Sequence, residues 1–218
     1  MSDLYSEQHR VLQRAFETDK LADRVKEFIV VSEITDDHKA FIESRAMFFL
    51  ATVDHRGFPT CSHKGGEPGF VRVVDATTLA FPSYDGNGMF LSMGNLTANP
   101  RIGMLFIDFE TPHRVRVHGT ASIDRDDPLT ASFHGAELVV RVAIEEIFVN
   151  CPRYIHPHRR IGLSKYTPQR DAERPVTPQW KRIDGLRDVL PTRDGEAVDE
   201  LGCITPEAYE ALVRQGKG

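Results

Sequence analysis

Two spacings of apolar residues divide the chain. Before Met47 they recur every three or four positions: Val11, Leu12, Ala15 and Phe16 share one face, and Leu21, Ala22, Val25, Phe28 and Ile29 repeat the spacing with charges opposite. This is the period of amphipathic helices, whose apolar faces are expected to lie on something. A third short helix is predicted from Thr35 or Asp36, either a suitable N-cap, with Ile34 before it and Phe41 and Ile42 on its apolar side.

At Met47 the period changes. Met47 to Val53 is an apolar run of strand length, closed by the turn residues Asp54-His55-Arg56-Gly57. A short segment Pro59 to Lys64 and the run Gly65-Gly66-Glu67-Pro68-Gly69 follow. Phe70 to Asp75 and Thr78 to Phe81 read as a hairpin around Ala76-Thr77. After the glycine-rich loop Tyr84 to Gly88, a helical piece from Leu91 to Ala98 ends at Asn99-Pro100. Strands are predicted over Ile102–Phe109, Val115–Ile123 and Leu138–Val149. About six or seven strands, short turns and one brief helix predict an antiparallel barrel rather than βαβ units. No GxGxxG follows a first strand, and GxxxxGK[ST] and GxSxG are missing, so three common enzyme scaffolds have no support.

From Asn150 the composition shifts. Pro152, Pro157, Pro168, Pro175, Pro178 and Pro191 interrupt a polar, arginine-rich stretch that holds the only tryptophan, Trp180. An extended arm is predicted, ending in a small helix with Thr205 as N-cap, Pro206 at its first position and Gly216 beyond its end. Residues 1–40 therefore read as a helical extension, 41–150 as a β-barrel domain and 151–218 as a Pro/Arg-rich arm with a short C-terminal helix.

Composition narrows the function. The 218 residues carry 27 basic and 32 acidic side chains, a formal net charge of −5, which gives no electrostatic footprint for nucleic acid or an anionic membrane. Cys61, Cys151 and Cys203 are isolated, so neither a disulfide framework nor a structural zinc site is expected. The start is charged, without the apolar core of a signal peptide, and the longest apolar stretch, Ala46 to Val53, is far short of the roughly 20 residues that span a bilayer. A cytoplasmic location is the expectation.

Three clusters join flexible backbone to cationic or hydrogen-bonding side chains. In Ser62-His63-Lys64-Gly65-Gly66, backbone amides, an ammonium and a hydroxyl suit an anion, although a solvated turn has the same composition. In Ser83-Tyr84-Asp85-Gly86-Asn87-Gly88 and Ser92-Met93-Gly94-Asn95, residues with small or no side chains admit a ligand close to the backbone, as would a plain surface loop. The third is Asn150-Cys151-Pro152-Arg153-Tyr154-Ile155-His156-Pro157-His158-Arg159-Arg160. Its arginines suit an anionic partner or a subunit interface, and Cys151, His156 and His158 lack a fourth ligand for zinc. Cys61 has no catalytic partner, and Phe48, Phe49, Phe81, Phe106 and Phe109 read as core.

Taken in order, FFLATVDHRGFPTCSHKGG, TLAFPSYDGNGMFLSMGNLTANPRIGMLFIDF, RVRVHGTASI and NCPRYIH resemble the FMN-binding split-barrel proteins of the pyridoxamine 5′-phosphate oxidase-like family, over roughly Phe41 to His158. The resemblance implies a six-stranded antiparallel split β-barrel that forms a homodimer with FMN in clefts between the subunits. It also implies cofactor contacts from Ser62, His63, Lys64 and Gly65, from Ser83, from Ser92 and Asn95 just before Leu96-Thr97-Ala98-Asn99-Pro100, from Arg114 at the ring, and from Arg153 and Tyr154. Glycines, serines and an asparagine stand where the oxidase carries its Ser-Arg-Lys phosphate clamp. The oxidase's C-terminal Arg-Leu substrate motif has no counterpart. The function implied is an FMN-dependent oxidoreductase passing hydride or electrons between a nicotinamide reductant and a small-molecule substrate. The flavin does that chemistry, so no catalytic side chain is expected. The alternatives are a flavin or haem carrier on the same barrel, with His118, His156 or His158 as haem ligands, a deazaflavin in place of FMN, and a true pyridoxamine 5′-phosphate oxidase.

Overall fold

A computed structural model describes residues 3–168 and 176–218; Met1, Ser2 and residues 169–175, with Pro175 of the predicted arm, lie outside the described residues. The chain divides into two compact units, Met1–Gly162 and Leu163–Gly218.

The first unit opens with helices α1 (Glu7–Ala15), α2 (Asp19–Ile29) and α3 (Asp36–Glu43). The Thr35 hydroxyl caps α3 by accepting the His38 N–H at 3.2 Å, and Ile42 drops from this helix into the core. Seven strands follow: β1 (Met47–Val53), β2 (Pro59–Gly65), β3 (Arg72–Asp75), β4 (Thr78–Tyr84), β5 (Arg101–Asp108), β6 (His113–Asp124) and β7 (Ala136–Asn150), with α4 (Leu91–Ala98) between β4 and β5. All pairings are antiparallel, in the order β2-β1-β5-β6-β7-β4-β3.

This is the mainly β, split-barrel architecture that the pattern and the resemblance imply, with one correction: the sheet has seven strands rather than six. The seventh is the four-residue edge strand β3, which pairs only with β4. Curvature comes from β6 and β7, which run 12 and 15 residues, with a register shift between His118 and Gly119 that leaves Glu145 unpaired in the ladder. A Cβ on Gly119 would lie 2.4 Å from the Ala143 carbonyl oxygen, so only glycine lets the strands approach there.

The core lies on one face of this curved sheet. In β1 the side chains of Phe48, Leu50 and Thr52 are buried by alternation. Phe48 lies 5.1 Å from Phe81, 5.2 Å from Phe106 and 5.8 Å from Phe70, ring centre to ring centre. Phe49 and Phe109, expected in the core, are only partly buried. Phe49 belongs to the opposite face of β1, and Phe109 follows the end of β5.

In the second unit, residues 179–182 and 184–189 form 3₁₀ turns, followed by α5 (Thr192–Leu201) and α6 (Pro206–Arg214). Thr205, Pro206 and Gly216 end α6 as the sequence predicts, with Thr205 accepting the Ala208 N–H at 3.3 Å. The turns and α5 differ from the extended arm expected. Prolines and a mid-helix glycine hide α5; a Cβ on Gly195 would sit 2.9 Å from Arg187 Nη1, the movable end of a long side chain. Val198 is buried, and so is Lys181, whose ammonium meets Asp194 at 2.8 Å.

Candidate functional site

Strands β2 and β4 and the start of α4 enclose a cavity of about 210 Å³. Ser62 and Lys64 line it from β2, Ser83 and Tyr84 from β4, and Gly86, Asn87 and Gly88 from the loop; Phe90, Leu91, Ser92 and Met93 complete it. The two-residue period of β2 places Ser62 and Lys64 on one face and turns His63 to the other, where its ring lies 6.2 Å from that of Phe49.

The cavity has an electrostatic sign. Lys64 is only partly exposed, and burial lowers its pKa from the ordinary lysine value. No carboxylate lies within ion-pair distance of its ammonium among the described residues, so a positive charge is held away from water without a counter-ion. Beside it α4 begins. Its N-cap is Phe90, in a left-handed conformation at φ 47°, whose side chain has no oxygen to satisfy the first-turn amides. Backbone N–H groups, the positive end of the helix, a lysine and three serine hydroxyls therefore converge on one small space, which suits a phosphate or carboxylate. Burial, with the Glu67 charge next in order, raises the Tyr84 pKa and keeps a neutral phenol at the wall.

The site is tied to the barrel. Ser62 Oγ and Ser92 Oγ share a hydrogen bond of 2.9 Å, joining β2 to α4. Asn95 Nδ2 donates to Thr52 Oγ1 at 3.0 Å and Thr60 Oγ1 at 3.3 Å, and the two threonine hydroxyls bond each other at 2.6 Å. Asn95 thus anchors α4 to β1 and β2 and does not line the cavity.

The structure corrects the reading of the two glycines as an anion nest. Gly65 pairs with Met47 in the β1–β2 ladder, and the Gly66 N–H donates to the Ala46 carbonyl at 2.9 Å. Gly66 is required for packing: a Cβ there would lie 2.5 Å from the ring of Phe70, itself buried against Phe48. Gly66→Ala is expected to lower stability by roughly 1–3 kcal/mol through overpacking. A urea unfolding midpoint equal to that of the wild type would contradict this assignment.

Of the ten residues anticipated, Ser62, Lys64, Ser83 and Ser92 line the cavity, Gly65 adjoins it and Asn95 supports it. Arg114, Arg153 and Tyr154 are gathered elsewhere. Arg114 lies between Ile107 and Asn150 in the sheet, and Arg114 Nε and Asn150 Oδ1 are buried without a hydrogen-bond partner among the described residues. Arg153 Nε donates to Cys151 Sγ at 3.3 Å, and the backbone N–H and side chain of Arg153 hold the exposed Cys151 thiol below its usual pKa. Tyr154, at φ 68°, is 89% exposed. The apolar lip formed by Phe90 and Leu91 was not anticipated; the signal was the phrase Met89-Phe90-Leu91 directly after a glycine-rich loop, three large apolar residues in a row where the loop runs into α4. No group of three metal-ligating side chains occurs among the described residues.

The family model described as pyridoxamine 5′-phosphate oxidase matches residues 34–157, more than half of the chain. No curated protein matches the chain. Among solved structures, HupZ of Group A Streptococcus is 23% identical, with 53% of this chain and 93% of that one covered and a TM-score of 0.44. HutZ, the haem storage protein of Vibrio cholerae, is 22% identical, with 53% and 94% covered and a TM-score of 0.40. An FMN-binding protein of Syntrophomonas wolfei is 11% identical, with 64% and 97% covered and a TM-score of 0.42.

Proposed function

The chain belongs to the pyridoxamine 5′-phosphate oxidase family, and from that premise we propose that it is a homodimeric FMN-dependent oxidoreductase acting on a small molecule. The observation that carries this reading is Lys64, a partly buried cation without a counter-ion at the uncapped start of α4. Lys64, Ser62, Ser83, Ser92 and the first-turn amides of α4 would hold the phosphate of FMN, and Phe90 and Leu91 would lie against its apolar part. Bound there, the flavin supplies hydride and electron transfer. Lys64 holds the cofactor, and the partial burial of its ammonium strengthens the charge-assisted bond it offers.

The size of the cavity supports a dimer. About 210 Å³ is small beside the roughly 300–1,000 Å³ of sites that enclose a whole ligand. One copy accommodates the phosphate end, and a second copy closes over the ring. Arg114, Arg153 and Tyr154, which a single chain keeps out of its own cavity, would reach the ring from the partner subunit. A cation at the pyrimidine edge stabilises the reduced, anionic flavin. The electron donor in this reading is a nicotinamide nucleotide.

The absorption spectrum of the freshly purified protein tests the proposal, with mass analysis of what denaturation releases. A flavin spectrum and the mass of FMN are expected. A colourless protein that takes up no added FMN refutes the reading, and a haem Soret band replaces it with a haem carrier.

A second test uses pH. Burial disfavours the Lys64 charge, whereas a bound phosphate favours it. FMN affinity is therefore expected to fall as pH rises through the lowered Lys64 pKa, before an ordinary lysine of pKa about 10.4 would titrate. The unliganded protein follows the opposite sign: between the lowered folded pKa and the ordinary value the unfolded chain binds more protons, so the Lys64 contribution to stability rises with pH. Fluorescence titrations of FMN across alkaline pH check this. Lys64→Arg should flatten the profile, and identical profiles for both proteins would exclude Lys64 as the titrating group.

A further inference from the structure

The helices α1 and α2 lie outside the family-matched residues, and neither contributes a buried residue. They are joined to each other by polar groups. Arg10 meets Asp23 at 2.7 Å, Lys26 meets Asp3 at 2.8 Å, and the Tyr5 hydroxyl donates to the Ala22 carbonyl at 3.1 Å. Because the polar sides face inward, the apolar residues face out: Val11, Leu12, Phe16, Leu21, Val25 and Phe28 are 41–76% exposed. These faces, expected to lie on something, are exposed in the single chain.

Helices of 9 and 11 residues are shorter than the roughly 12–15 at which isolated helices become even marginally stable, so this hairpin needs a cover. We infer that the outward apolar stripe of the α1–α2 hairpin packs against the same stripe of a second copy of this chain, making a two-fold four-helix bundle. Area supports this occupant. At their observed exposure the six side chains present on the order of 600 Å² per copy. Two stripes together reach about 1,200 Å², the lower bound for a specific interface. Charge argues against a lipid surface. Membrane-binding helices are rich in Lys and Arg on the polar face, whereas here Asp3, Glu7, Glu17, Asp19, Asp23 and Glu27 offset the basic residues. Identical apolar stripes meeting face to face need no charge complement.

The experiment is hydrogen exchange with sedimentation velocity on the full-length, cofactor-free protein and on the double variant Phe16→Asp/Phe28→Asp. Both positions are exposed, so the barrel folds in either case. The expected result is an associating wild type in which residues 7–29 are protected. In the variant that protection should fall at least tenfold while the barrel strands keep theirs. Phe16→Leu/Phe28→Leu should restore it. A monomeric wild type, a freely exchanging stripe in the associated protein, or full protection in the aspartate variant would overturn the inference. So would protection that arises only on adding phosphatidylcholine/phosphatidylglycerol vesicles. None of these readouts needs flavin, so a failed flavin assignment leaves the outcome readable.

Discussion

Lys64→Met is expected to weaken FMN binding by roughly 1.5–3 kcal/mol, about 10- to 150-fold in Kd, while leaving the fold intact. The size follows from the surroundings. Among the described residues Lys64 carries the only formal positive charge lining the cavity and no carboxylate competes for it, and it is partly removed from water. A charge-assisted bond in such a place exceeds one at the surface. Methionine keeps the unbranched length of the side chain and deletes the charge. The loss should therefore appear in affinity and not in the urea midpoint, which is expected to rise slightly because an uncompensated partly buried cation is gone. Fluorescence titration of the reconstituted variant measures the first effect and denaturant unfolding the second. Affinity within twofold of the wild type would remove Lys64 from the phosphate site. Ser92→Ala is a useful companion: it breaks the 2.9 Å Ser62–Ser92 bond and should cost less, since the α4 amides and the lysine remain.

The largest effect on stability is expected from Phe48→Ala. Phe48 is fully buried and sits among Phe70, Phe81 and Phe106, which come from the β2–β3 connection, β4 and β5. Removing its ring leaves a cavity that rings on separate elements cannot all collapse into, at a cost of about 3–5 kcal/mol. Against a total stability of roughly 5–15 kcal/mol, the variant should lose a large share of its resistance to urea. Because Phe70 also packs over Gly66, next to β2, loosened cofactor binding should follow the loss of stability. A urea midpoint close to that of the wild type would show that the aromatic cluster does not hold the two ends of the sheet together.

Much of the local structure is legible in the sequence because local rules govern it. Met47–Val53 and Leu91–Ala98 have the predicted bounds, Thr35 and Thr205 mark helix starts by accepting a backbone N–H three residues on, and Pro206 suits the first helical position because it has no N–H to leave unpaired. The candidate site is legible in part. The alternation of β2 gives Ser62 and Lys64 a common face, and the same rule, applied to His63, places it on the other. Gly65 and Gly66 show where composition misleads: a diglycine next to lysine suggests free amides, but one glycine pairs in the ladder and the other gives its N–H to Ala46. Asn95 looks like a ligand-binding residue and is instead satisfied by two threonine hydroxyls from distant strands.

Chain order alone set the element types of the first unit, the family resemblance, the apolar character of α1 and α2, and the lysine and serines of the cavity, because each depends on residues within a few positions of one another. Tertiary structure alone decided which of those residues meet. It brought β2, β4 and α4 around one charge, kept Arg114, Arg153 and Tyr154 apart from it, and left the helical stripe facing outward. The reason is that burial and pairing are set by contacts between segments dozens of residues apart, and a local pattern specifies which face is apolar without specifying what covers it.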